Sequence, residues 1–393
     1  MIDTKSSIVT AEPRCTIRLP HWGWILLATF VLTVGFVGLS IWLPWHREQM
    51  VVRQVKSWGG WTLAESRAPA WLDYVPVGLA TRLRRSDFFE RESGIHLNAV
   101  AGGQEHIVRD SDLAAFDTLE RLEEITLECS DVTDVGVARL THHRMLKSLE
   151  LDQTKVTDAG VAFLAKLADL QHLSLANTAV SDAGLFHIAM LPKLQTVFLD
   201  GARVSDRGLD DLTRLRSLSW LSLGGTSITD RGAARLGGMS SLESLSLAET
   251  QITDLGAKHL ARLGNLRMLV LDETHISDVG LEHLADLRQL HTLYLKDTSI
   301  SDVGLIALSR LENLTWLDLD QTAITDHGLP NLAPLRNLTH LWLNDTNVTG
   351  DGLLQIAGMP ALEAVYASGT GVTAESVLEL QRAFPKLSID IDK

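Results

Sequence analysis

The residues best equipped to do chemistry in this chain are aspartates that return every 24 residues: Asp134, Asp158, Asp182, Asp206, Asp230, Asp254, Asp278, Asp302 and Asp326. Carboxylates at a fixed spacing could ligate calcium or exchange protons in acid–base catalysis. Each, however, follows a Ser or Thr and precedes a glycine by two residues, as in Ser277-Asp278-Val279-Gly280, just before an apolar run. A hydroxyl residue there is a natural helix N-cap, and the carboxylate behind it gains from the positive field of the first helical turn. The aspartates are therefore assigned to capping rather than catalysis. His187, His259 and His283 share one helical column and could hold a metal if stacked, but a solvated helix face accounts for them, so no metal is assigned. The pair His142-His143 reads as exposed loop. Neither a Walker loop nor G-x-S-x-G, H-E-x-x-H or a paired-cysteine motif occurs, which makes the chain a non-enzyme without a cofactor on this reading.

The elements that carry these residues are equally periodic. Ahead of each Thr/Ser-Asp lies L-x-x-L-x-L, as in Leu146, Leu149, Leu151 and Leu338, Leu341, Leu343, whose alternation is that of a strand with one buried face. The run Gly280-Leu281-Glu282-His283-Leu284-Ala285-Asp286-Leu287 spaces its leucines for a short helix. One strand and one short helix per unit define a leucine-rich repeat. The expected fold is an α/β leucine-rich-repeat solenoid with a concave parallel sheet and convex short helices. A threonine three residues past each strand, such as Thr154, Thr274 or Thr346, is expected to face inward and bond the backbone of the neighbouring coil. The pattern L-x-x-L-x-L-x-x-T-x-[VI]-[ST]-D-x-G-L resembles the cysteine-containing class of leucine-rich repeats found in substrate receptors of ubiquitin ligases, with Thr in place of Cys. No segment reads as an F-box.

From Trp22 to Trp45 no residue is charged, and about 24 residues at 1.5 Å each are long enough for a helix to cross a bilayer. Trp22, Trp24, Trp42 and Trp45 mark its ends as an aromatic belt would. The chain is therefore divided into an N-terminal tail (1–21), a single transmembrane helix (22–45), a juxtamembrane connector (46–94), a degenerate capping repeat (95–121) and the repeat domain (122–393). Flanking charges are nearly balanced, and a first span preceded by a short tail places the repeats on the extracytoplasmic side. A short basic tail, one span, a Gly-Gly connector with Trp71-Leu72, and T-D-x-G-L repeats ending in Phe384-Pro385-Lys386 are together similar to membrane-anchored leucine-rich-repeat proteins of bacteria.

Residues 95–393 hold 24 Lys/Arg against 41 Asp/Glu, so they are more acidic than the whole chain with its net charge of −14, and they carry no basic stripe, which argues against nucleic acid and for a basic or neutral protein partner rather than a small molecule. Residues flanking the strand leucines point away from the core. Their large aromatics gather late in the chain, so the candidate partner site is Tyr294, Trp316, His340, Trp342 and Tyr366, with Asp318 and Asp320 supplying negative charge. The expected function is a membrane-anchored, non-catalytic protein-interaction scaffold. The alternatives are recognition of a glycan or cell-wall polymer by the same face, and an F-box-like role as a ligase substrate receptor.

Overall fold

The computed structural model describes residues 21–66, 90–98 and 107–391. The N-terminal tail, and the connector residues Pro69-Ala70-Trp71-Leu72 and Asp87-Phe88-Phe89, lie outside them. The chain divides into two units, residues 1–50 and 51–393.

An apolar helix forms where the sequence calls for one, but it runs from His21 to Ser57 and passes through Pro44. It thereby takes in Arg47, Glu48, Arg53 and Lys56. No helix among the described residues is long and apolar enough to cross a membrane, so the expected transmembrane helix over 22–45 is not found. What its first part does show is large apolar side chains left exposed, among them Phe30, Leu32 and Phe36.

In the second unit the described strands form one 14-stranded sheet in sequential order. It begins inside the segment read as a connector: Trp61–Ser66 pairs antiparallel with Glu90–Asn98, and every later pairing is parallel. The first strand lies in the connector and the second runs from it into the degenerate capping repeat, and neither carries the L-x-x-L-x-L pattern, so periodicity gave no sign of them. From Ser148 onward the strands are three residues long and stack in strict register, for example Leu269 beside Leu293 beside Leu317 beside Leu341. In a representative unit Leu266, Leu269, Leu271, Ile276, Leu281 and Leu284 are all buried. None could be buried by one repeat alone, since the covering atoms come from its neighbours.

Six of the nine Thr/Ser residues cap their helices as expected, Thr157 accepting from the Ala159 N–H, Thr253 from Leu255 and Ser277 from Val279, whereas after Ser205, Ser301 and Thr325 the helix starts later, with Gly208, Val303 and Gly328 at its N-cap. The aspartates do more than support the cap. From Asp110 to Asp326 each carboxylate reaches into the next repeat, where Oδ1 accepts the backbone N–H of the Thr/Ser and Oδ2 accepts its hydroxyl. Asp254 bonds Ser277 at 2.8 and 2.7 Å, and Asp278 bonds Ser301 at 2.8 and 2.6 Å. The ladder starts at Asp110–Thr133 and ends at Asp326–Thr349, because Gly350 stands where the next Asp would be. It also explains the glycine: a Cβ on Gly184 would lie 2.6 Å from Asp158 Oδ1, and on Gly208 2.7 Å from Asp182 Oδ1. Glycine is needed here for close approach rather than for backbone freedom.

Two expectations are corrected. The recurring threonine is buried, but its hydroxyl donates to the carbonyl three residues earlier in its own repeat, as Thr274 does to Leu271 and Thr346 to Leu343, both at 2.6 Å. Between the two lies a residue in the left-handed region, such as Glu273 (φ 53°) or Asp345 (φ 56°), and this turn brings the carbonyl within reach of the hydroxyl. Neighbouring coils are joined there by backbone bonds instead, Glu273 N–H donating to the Lys296 carbonyl at 2.8 Å. His143 is not exposed loop. It is buried, with Nδ1 3.1 Å from the Leu119 carbonyl, and burial lowers its pKa.

Candidate functional site

The open face of the sheet is lined by the strand residues on either side of each buried leucine. Parallel register places Tyr294, Asp318, Trp342 and Tyr366 in one row across four strands, and Trp316 and His340 in the adjacent row. The six come together as a contiguous array. Trp342 stacks on Tyr366 with centroids 5.0 Å apart and planes 7° apart. Trp316 lies 5.4 Å from Trp342 and 4.9 Å from His340, and Tyr294 lies 6.4 Å from Trp342. Trp316 is 41% exposed, which is high for so large an apolar side chain. Contacts within the array are worth about 0.5–1.5 kcal/mol per pair, so some of its role is to stabilise the sheet.

The two aspartates differ. Asp320 continues a second ladder: its Oδ1 accepts the Asn344 N–H at 2.6 Å and its Oδ2 accepts Asn344 Nδ2 at 2.9 Å. Asp272 does the same for the Lys296 N–H and Asp200 for Gly224. Asp320 is therefore already engaged in coil packing. Among the described residues Asp318 has only the Asp320 N–H on Oδ1, at 2.8 Å. Half-burial between aromatic neighbours, reinforced by Asp320 and Asp272, pushes its pKa up to about 7.

A raised carboxyl pKa means the folded protein holds the proton more tightly than the unfolded chain, so ionising Asp318 opposes folding. Its penalty is absent below the ordinary value near 3.8, grows as pH rises toward 7, and is constant above. Asp318→Asn is therefore expected to raise the melting temperature at pH 8 but not at pH 3.5. A gain independent of pH, measured by thermal unfolding across that range, would contradict the shift.

A second array on the same face was not singled out from the sequence. Trp61 stacks on His96 at 3.9 Å; His96 Nδ1 is 2.9 Å from Thr126 Oγ1, which donates to Glu150 at 3.0 Å. Glu150 lies 3.5 Å from His172, and His172, Phe198 and Trp220 follow edge to face at 5.3 Å. Phe198 and Trp220 were readable as face positions, whereas Trp61 lies in the segment read as connector and His96 at the start of the degenerate capping repeat, where no L-x-x-L-x-L pattern marks a strand. The helical histidines His187, His259 and His283 join no group able to hold a metal among the described residues.

Models of leucine-rich repeats match residues 142–165, 216–276 and 265–324. Among solved structures, an internalin from Listeria monocytogenes is similar over 83% of this chain and 98% of its own, with 20% identity and a TM-score of 0.55. A leucine-rich-repeat protein of Leptospira interrogans is similar over 75% of this chain and 83% of its own, at 17% identity and a TM-score of 0.48. No curated protein matches. The chain thus carries leucine-rich repeats in an α/β fold, one whose extended open face commonly serves protein interaction. Identity this low establishes the fold and nothing narrower.

Proposed function

We propose that this chain is a non-catalytic scaffold that captures a protein partner on its open sheet face, centred on Tyr294, Trp316, His340, Trp342 and Tyr366 with Asp318 and Asp320 beside them. The observation that carries this reading is the exposed, contiguous ring array, in which Trp316 stays 41% exposed although it belongs to a strand. Aromatic residues in such settings supply most of the energy at protein interfaces. The surrounding acidity favours a basic or neutral partner. Affinity capture with the intact chain, compared with a variant lacking Trp316 and Trp342, tests it. Glycan recognition remains a second reading, favoured by the flat Trp342–Tyr366 stack, and predicts retention on purified polysaccharide with no protein captured.

We also infer that the chain works at a membrane, with its repeats on the extracytoplasmic side. Exposed Trp22, Trp24, Phe30, Leu32, Phe36 and Trp42 on one helix support contact with lipid. The full chain is expected to float with phosphatidylcholine–phosphatidylglycerol vesicles, and a chain beginning at residue 46 is expected not to. Equal behaviour of the two would refute lipid contact by this helix, and protease digestion of intact cells reports the side.

A further inference from the structure

Tyr294 and Trp342 stand two strands apart, on either side of Asp318 in the same row. Their ring centroids are only 6.4 Å apart and their planes are tilted by 47°. The two rings thus stand close together on either side of the Asp318 position, and the Asp318 carboxyl is partly withdrawn from water. Oδ1 accepts the Asp320 N–H, while no group among the described residues donates to Oδ2. Nor does any described cation stand over these rings; the cation–ring contact found is Lys166 over Phe163, on the helical side. Lys296 is the nearest positive charge, but its Nζ is directed to Glu273 at 3.9 Å.

The notch thus presents one under-bonded carboxylate oxygen with an aromatic ring on either side of it. Both features attract a cation, and neither attracts an anion. A neutral ligand would use the rings alone and leave the half-buried charge uncompensated. We infer that the notch formed by Tyr294, Asp318 and Trp342 receives the guanidinium or ammonium group of a basic side chain presented by a protein partner. This rests, for the nature of the partner, on the reading of the face as a protein-binding surface. The charged and titratable groups facing the notch are Asp272 and Asp320, which add to its negative potential, Lys296, which subtracts from it, and the neighbouring Tyr294 and His340.

The cation needs Asp318 ionised, and with a pKa of about 7 it is mostly protonated at pH 6 and mostly ionised at pH 8. Binding is therefore expected to strengthen roughly ten-fold between those values. The probe is a tri-arginine amide, titrated calorimetrically into the intact chain, with tri-citrulline amide as the uncharged isostere. The wild-type chain is expected to bind tri-arginine about ten-fold more tightly at pH 8 than at pH 6, and Asp318→Asn to bind weakly and equally at both. Tyr294→Leu removes one ring and is expected to weaken binding several-fold without abolishing the pH response. Asp286→Asn, an exposed carboxylate elsewhere, controls for diffuse attraction and should match wild type. Equal affinity at the two pH values, retention of tight binding by Asp318→Asn, or equal binding of tri-citrulline would each overturn the inference. If native capture requires Trp316 and Trp342 while tri-arginine ignores Asp318, the cation notch fails and the interaction face stands. If tri-arginine obeys Asp318 but native capture ignores both tryptophans, the face reading fails instead.

Discussion

Replacing Trp316 and Trp342 together with alanine is expected to abolish partner capture while leaving a folded, cooperatively melting protein. Each ring touches several others in the array: Trp342 contacts Tyr294, Trp316, His340 and Tyr366, and Trp316 contacts His340 and Trp342. Truncating an interfacial tryptophan commonly costs at least about 2 kcal/mol, so losing two should weaken binding by roughly a thousand-fold. The effect on folding is smaller because both side chains lie outside the leucine core. Leu317 and Leu341, between which the sheet is packed, remain fully buried. Loss of the array's pair contacts, at about 0.5–1.5 kcal/mol each, lowers the melting temperature by several degrees at most. Capture efficiency and thermal unfolding measured on the same preparation separate the outcomes. Full capture by the double variant would place the binding surface elsewhere, and the array of Trp61, His96, His172, Phe198 and Trp220 would become the next region to mutate.

Asp254→Ala should destabilise the protein by about 2–4 kcal/mol, an effect out of proportion to a partly exposed residue. Its carboxylate accepts both the N–H and the hydroxyl of Ser277, and bonds to a charged acceptor are worth about 1.5–3 kcal/mol. Its removal leaves a helix N-terminus without the acceptor that fixes its capping residue, and opens the space into which Gly280 is fitted. Asp286→Ala is the natural comparison. That carboxylate is exposed and lies 3.6 Å from Arg310, an arrangement worth about 0–1 kcal/mol. Urea denaturation of both variants decides the matter. If Asp254→Ala costs no more than Asp286→Ala, the ladder contributes nothing beyond capping.

The architecture was legible because it repeats. The alternation Leu149-Glu150-Leu151, copied at a fixed interval, dictates strand, face and parallel register, and the N-caps follow from the Ser/Thr placement. The second role of the aspartates was hidden because a carboxylate one residue after an N-cap already has a local explanation. Its true partner is 23 residues away, and only the stacking distance reveals that. The threonine was correctly placed inside but assigned the wrong acceptor, since a left-handed turn residue such as Glu273 or Gln321 carries no clear signature when it is not glycine. The candidate site was legible in its membership and not in its chemistry. Positions 294, 316, 342 and 366 could be read off the repeat, whereas the close approach of the Tyr294 and Trp342 rings and the distinct duties of Asp318 and Asp320 depend on side-chain geometry.

The aspartate ladder also bears on how such a chain would respond to load. Each rung joins one coil to the next, from Asp110 to Thr349, so the bonds that resist separation lie between coils and in series. Tension applied along the stack would not rupture the whole array at once. Every rung carries the same tension, so a terminal coil, held from one side only, detaches first, and the roughly 80 Å of slack from its 24 residues relieves the force on the rungs that remain. A stack made this way yields in steps, acting as a shock absorber between whatever holds its two ends.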